Sequence, residues 1–306
     1  MLIDIHAHAY RVKPPYIGFC TTEELLRAQE IHGIDKSVVL PIVSPEIYIP
    51  QDTADIIEMA RQYPDRIIPF CNLDPRAMTN DSHAPLEEVL EYYKEQGCKG
   101  IGEVMPNMRT DDPKVQNLFR AAEKVGLSVT TDGSDQLDGD FGLYDDPGLP
   151  QLELSLRRFP NLIFFGHGPI FWGEIAKLET PGEKGVPFRF GGGGQVEGAY
   201  GRSALPNDHQ PIREEGVLAK LLRRYPNLYC DLSDYTAYNA LARDLKYTAE
   251  FVKEFEDRMF FGTDIVFPDM PIPLIDDLKK WKRDGVISAS AYNKITHENA
   301  MRFLNL

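Results

Sequence analysis

The stretch LIDIHAHAYR, residues 2–11, decides the architecture. Leu2, Ile3 and Ile5 form a short apolar, β-branched run of the kind that makes a buried strand. A doubly wound open sheet would follow its first strand with a glycine-rich phosphate turn, and here the strand ends in His6-Ala7-His8. Similar runs recur as KSVVLPI (36–42), RIIPFCNL (66–73), KGIGEV (99–104), LSVTTD (127–132), LIFFGH (162–167), LYCDLS (228–233) and RMFFGTD (258–264). The segments between them carry helix signals. Asp112 precedes Pro113 as N-cap and first helical residue, and Val115, Leu118, Phe119 and Ala122 share one apolar face before Gly126 stops the helix. Thr21 with Glu24 has the spacing of a capping box before Leu25 and Leu26. Strands alternating with helices predict a parallel sheet, and eight of them close a (β/α)8 TIM barrel. The expected fold is α/β, with one barrel domain over residues 1–306.

Strand spacing breaks once, between the sixth and seventh runs. Residues 168–211 are rich in glycine and proline and include Gly191–Gly194. A barrel places such a loop insertion after strand six on the C-terminal face, where active sites are built, so it is expected as a lid or pocket wall. Trp172, Arg189 and Arg202 lie in it and offer a ring and two cations to a substrate, or surface decoration.

Composition narrows the partners. The formal net charge is −14 and the pI about 5.0, a balance that repels phosphate backbones and anionic lipid. No apolar run approaches the roughly 20 residues of a membrane helix, and mean hydropathy is −0.33. The N-terminus has acid and histidine where a signal peptide needs basic and then apolar residues, so a cytoplasmic location is expected. Cys20, Cys71, Cys98 and Cys230 lack paired short spacings and read as buried reduced thiols. The expected partner is a small-molecule substrate, with neither nucleic acid nor membrane, and a homo-oligomer is compatible with the sequence.

His6 and His8 close the first strand, where residues i and i+2 project to one side, so both imidazoles can reach one ion. Asp264 ends the last strand in FFGTD. In a closed barrel, strands one and eight are neighbours, which puts this carboxylate beside the histidines. There it can bind metal and take a proton from water. Asp4 shares the face of His6 and reads as supporting structure. His32, His83, His209 and His297 read as structural or solvated, and the acidic run Asp138–Asp140, continuing to Asp145 and Asp146, as a solvated loop.

His-x-His ending strand one, Gly-His ending strand six and Gly-Thr-Asp ending strand eight resemble the amidohydrolase superfamily. The similarity is to the amidohydrolase-2 branch, which includes aminocarboxymuconate semialdehyde decarboxylases and related hydrolases. KGIGEV, PNLYCDLS and the C-terminal ENAMRFL extend it over nearly the whole chain. The resemblance implies one divalent metal, usually zinc, with His6, His8 and Asp264 as ligands. It also implies that His167 faces the water beside the metal rather than the metal itself. The chain departs from the family at strand five, where a Val-x-x-His ligand is usual and LSVTTDG offers Asp132. Asp132 and Glu103, which ends strand four in GIGEV, are the candidates to complete the ligand set. More oxygen donors would tilt preference toward manganese or magnesium.

The expected function is metal-dependent hydrolysis of a small cyclic or carboxylated molecule, with Asp264 accepting a proton and His167 stabilising an oxyanion or shuttling the proton. Non-oxidative decarboxylation or hydration on the same scaffold is the enzymatic alternative. A non-catalytic metal- or ligand-binding barrel is the other.

Overall fold

The computed structural model describes residues 1–47, 51–138, 140–178 and 211–306. Parallel strands run as β1 (Ile3–Ala7), β2 (Lys36–Val39), β3 (Ile67–Pro69), β4 (Gly100–Val104), β5 (Ser128–Thr131), β6 (Phe164–Gly166), β7 (Leu228–Asp231) and β8 (Met259–Phe260). Ladders join β1 to β2 to β3, and β4 to β5 to β6 to β7 to β8. Two seams close the circle. Cys71 bridges Ile101 between β3 and β4, and Ala7 bridges Ile265 between β1 and the chain just beyond β8. Backbone bonds from Ile5 to Phe261 (3.0 Å) and from Asp264 to His6 (2.8 Å) fasten the second seam. The result is a (β/α)8 barrel. A small two-stranded ribbon, Gly133–Ser134 with Leu143–Tyr144, follows β5.

Helices cover the outside: α1 (Thr22–His32), α2 (Thr53–Gln62), α3 (Leu86–Glu95), α4 (Pro113–Val125), α5 (Pro150–Arg158), α6 (Pro169–Gly173), α7 (Val217–Arg224) and α8 (Asp234–Ala242), with further helices after them. The capping box expected at Thr21 and Glu24 is present on both sides. Asp112 caps α4, Pro113 opens it, and Gly126 ends it in the left-handed conformation. The apolar face of α4 (Val115, Leu118, Phe119, Ala122) is wholly buried against the sheet. Inside, Ile5, Leu40, Phe70, Phe165 and Phe260 form one cluster with Ala300 and Leu304 of the C-terminal helix. Side chains from strands this far apart can meet only in the barrel interior, so this cluster is its packed floor.

Strands β1 and β4 are both bulged. Asp4 pairs with Ser37 and Ala7 with Val39, so β1 spends one residue more than β2 over the same interval. Likewise Ile101 pairs with Val129 and Val104 with Thr131. Such a bulge turns a side chain off the regular alternation, and the residues inside these two include His6 and Glu103. Gly102 makes the second bulge possible. Its φ is +158°, and a Cβ there would come within 2.9 Å of Leu40 and Thr130 side chains.

Two expectations need correction. The segment after β6 is not irregular from its start: α6 begins at Pro169, and Trp172 is fully buried, its indole N–H donating to the Asp231 carbonyl (3.0 Å). It is a core residue, because a hidden indole needs an acceptor for its N–H and finds one in the neighbouring strand. The insertion's base is pinned by an antiparallel bridge between Ala176 and Glu215. Arg189, Arg202, His209 and Gly191–Gly194 lie outside the described residues. The acidic run is not simply solvated either. Asp145 is buried and accepts from the backbone amides of Gln151 (3.0 Å) and Leu152 (2.8 Å), satisfying the first turn of α5. The four cysteines are buried and free, as expected.

Candidate metal centre

At the C-terminal end of the barrel, His6 of β1 and His8 just beyond it meet carboxylates from β4 and from the turn after β8. His6 Nε2 and His8 Nε2 are 3.2 Å apart. Glu103 Oε2 lies 3.5 Å from the first and 3.4 Å from the second. Asp264 Oδ1 lies 3.6 Å and 3.3 Å from the same nitrogens. A tetrahedral zinc with ligand bonds of about 2.0–2.1 Å has its donors about 3.3–3.4 Å apart. The histidine–histidine and histidine–carboxylate separations match that spacing, and His6, His8 and Glu103 together could hold such an ion.

Hydrogen bonding fixes the imidazoles for that role. His8 Nδ1 lies 2.8 Å from the carbonyl oxygen of Leu40. A carbonyl only accepts, so Nδ1 carries the proton and Nε2 turns a lone pair inward. His6 Nδ1 is held 2.6 Å from Asp231 Oδ2, which gives the same tautomer. Two lone pairs facing each other between carboxylates repel unless a cation lies among them. The electrostatics agree. Burial opposes a charged His6, but Asp231 and then Glu103 outweigh it and raise its pKa well above the usual value. Burial likewise opposes a charged His8, yet bonds to Asp264 and Glu103 raise it to about 9. Burial alone would raise Glu103, but the neighbouring His6 holds it well below the carboxylate range. The pocket attracts positive charge, and the donor set suits a divalent ion.

Asp264 is the reachable member. Its side chain is 23% exposed, against 0% for His6, 1% for His8 and 5% for Glu103. Its backbone sits in the left-handed region at φ 53°, a strain that aspartate tolerates better than most residues. His167, buried at the end of β6, bonds through Nδ1 with Ser233 Oγ (2.9 Å). Its Nε2 then faces Glu103 Oε1 (3.4 Å) and Asp264 Oδ2 (4.0 Å). Asp132 is buried on the other side of His167, in reach of a shared ion with Glu103 and His167. Burial and then the charge of Glu103 push its carboxyl well above the usual range, which favours the neutral acid. Gly168, at φ 81°, leaves the room Asp132 occupies, since a Cβ there would overlap Asp132 Oδ1.

Asp4 is fully buried and does not reach the donors. It accepts from the His6 amide (3.0 Å), the Thr263 amide (2.9 Å) and the hydroxyls of Thr263 (2.8 Å) and Ser37 (3.1 Å). Burial raises its pKa to about 7, against the opposing pull of those bonds. Three residues of the site escaped the sequence reading: Asp231, Ser233 and Asp234. LYCDLSD carries Asp231 at the end of β7 and Ser233 and Asp234 just beyond it, and the rim rule that singled out Glu103 and Asp264 applies equally to Asp231. His32, His83 and His297 stand apart from the centre.

The family model described as amidohydrolase matches residues 196–306. No curated protein matches the chain. Among solved structures, the chain is similar to a probable 2-pyrone-4,6-dicarboxylic acid hydrolase from Acinetobacter baumannii bound to citric acid (13% identity, TM-score 0.59, covering 100% of this chain and 99% of that one). It is similar to the 5-carboxyvanillate decarboxylase of Sphingomonas paucimobilis (15%, TM-score 0.58, 100% and 99%). It is also similar to a Burkholderia multivorans amidohydrolase with bound zinc (15%, TM-score 0.54, 100% and 99%). At these identities the structures speak for the fold. The C-terminal third thus matches the amidohydrolase family, and the barrel is shared with these structures along the whole length of the chain.

Proposed function

We propose that the chain is a metal-dependent hydrolase of a small cyclic carbonyl compound, built on one catalytic barrel domain. The observation that carries this is the donor cluster of His6, His8 and Glu103, with Asp264 Oδ1 3.6 Å and 3.3 Å from the two imidazole nitrogens. Two imidazole nitrogens with carboxylate oxygens favour zinc over magnesium or calcium, which demand more oxygen ligands. In this reading Glu103 completes the set in place of the strand-five histidine, and the neutral tendency of Asp132 makes it the poorer donor. A divalent ion held there polarises a carbonyl and lowers the pKa of water.

The chain's own groups supply the rest. Asp264 Oδ1 faces the histidines while Oδ2 turns toward His167, so one carboxylate can both ligate and take a proton. His167, held by Ser233, presents Nε2 toward the same space and can steady negative charge developing on the substrate oxygen. Asp231 orients His6 and keeps its lone pair directed inward. Non-oxidative decarboxylation of a carboxylated substrate on the same scaffold is the alternative reaction, and the same donor set would serve it. The test is turnover of lactones, cyclic amides and esters by protein stripped of metal and reloaded with zinc or manganese. Activity that appears with metal and disappears in Asp264→Asn supports the proposal. If the fully zinc-loaded protein hydrolyses none of these compounds, the binding-only barrel is the better account.

A further inference from the structure

A cleft of about 410 Å³ opens at the end of the barrel opposite the metal centre. That volume lies within the roughly 300–1,000 Å³ of small-molecule sites. Its walls come from the turns that lead into three successive strands: Cys98 and Lys99 before β4, Leu127 before β5, and Asn161 and Ile163 before β6. The C-terminal helix closes it with Phe303 and Leu304, and Phe303 is fixed there by an edge contact with Phe165 (ring centroids 5.1 Å apart). Lys94 and Lys99 both line the cleft and no carboxylate does, in a chain with 47 acidic residues against 33 basic ones. Neither lysine has an ion-pair partner among the described residues. Lys94 Nζ donates to the Val125 carbonyl (2.6 Å), which leaves two of its three N–H donors. Glu95 and Glu123 flank the cleft in sequence but stay outside its lining, as does Leu306 with the terminal carboxylate, and Glu123 accepts from the Asn161 amide (2.9 Å). At the inner end Ser128 is 6% exposed, and its Oγ has no hydrogen-bond partner among the described residues. A buried hydroxyl left unpaired is costly, and a polar group on an occupant of the cleft would satisfy it.

We propose that this cleft is a second binding site, for a small organic acid with an apolar body. The body packs against Leu127, Ile163 and Phe303, the anionic group meets Lys94 and Lys99, and a hydroxyl at the far end reaches Ser128. Exposure sets that order. Both lysines lie at the surface, where an anion keeps part of its hydration, whereas the buried serine suits an uncharged polar group. The site stands apart from the metal centre and does not depend on the hydrolase reading.

The test uses naphthalene-2-sulfonate, its 6-hydroxy derivative and 2-naphthylmethylammonium on the zinc-loaded full chain, with sulfonates chosen because they ligate zinc poorly. Binding is followed by calorimetry at two ionic strengths. Naphthalene-2-sulfonate is expected to bind at one equivalent and at least about 10-fold more tightly than the ammonium compound, with the ratio shrinking as salt rises. Lys99→Gln should narrow that ratio several-fold. Asn161→Trp, at an exposed position on the rim, should fill the mouth and weaken the sulfonate about 10-fold or more while zinc content and melting temperature hold. The 6-hydroxy group should add several-fold in affinity, a gain that Ser128→Ala removes. No measurable binding of either sulfonate overturns the inference, as does equal or tighter binding of the ammonium compound. Sulfonate binding indifferent to both Lys99→Gln and Asn161→Trp overturns it too, because the compound would then sit elsewhere, the metal centre included.

Discussion

Asp231 Oδ2 lies 2.6 Å from His6 Nδ1, with both side chains fully sealed from solvent. The carboxylate is held low by the neighbouring His6 even though burial alone would raise it. It fixes the tautomer and ring orientation of a histidine proposed to bind metal. Partners of this kind typically contribute 10- to 100-fold in metal affinity. Asp231→Asn should therefore weaken zinc binding by about that factor, read by competition with a chromophoric chelator. Unchanged affinity would show that His6 needs no such support.

Replacing His6 and His8 together by alanine removes both nitrogen donors and should abolish stoichiometric metal. Elemental analysis of the purified variant checks this. Metal retained at one equivalent would place the ion elsewhere in the barrel.

His167 and Asp264 should separate. His167→Ala is expected to keep most of its metal and lose on the order of 10²-fold or more in rate, as suits a group that handles charge or protons. Asp264→Asn should lose both metal and rate. If His167→Ala comes out as metal-depleted as Asp264→Asn, His167 is a ligand, and the proton falls to a carboxylate.

Gly168 and Gly33 give a controlled comparison of backbone strain with steric overlap. Both have positive φ, 81° and 70°, but a Cβ on Gly33 meets nothing within 4 Å, whereas on Gly168 it would overlap Asp132. Gly33→Ala should cost only the left-handed backbone penalty, about 1 kcal/mol. Gly168→Ala should cost roughly 2–3 kcal/mol, because overlap adds to strain. Urea unfolding of the two variants decides it, and equal losses would mean that Asp132 yields freely.

The thiols should resist alkylation while the protein is folded. Burial pushes Cys20 up to about 12 and raises Cys71 and Cys230 as well. A raised thiol pKa favours the protonated, unreactive form, so at pH 8 the thiolate is scarce, and raising the pH to 9 should change little. Iodoacetamide should modify none of the four in native protein and all four after denaturation. Modification of Cys20 at pH 8 without unfolding would contradict its burial.

What the sequence determined by itself was periodic or local. Apolar runs separated by amphipathic helices required a parallel sheet to bury both its faces, and their number closed it. Caps such as Thr21 with Glu24 and Asp112 with Pro113 need only neighbours in the chain, so they were legible too. His6, His8, Asp264, Glu103, Asp132 and His167 all stood at strand ends, which is why a barrel brings them to one face. The tertiary structure alone decided how they divide. The bulges in β1 and β4 aim His6 and Glu103, and a bulge depends on the register of two strands at once. Whether Asp132 or Glu103 turns toward the histidines depends on the space beside Gly168 and on competing charges from distant strands. Asp231 and Ser233 became visible only when β7 was laid beside β6 and β8, because their partners lie 225 and 66 residues away in sequence. Trp172 and Asp145 went the other way, from presumed loop surface into the core. A residue's neighbours across the barrel fix its burial, and no local pattern encodes them.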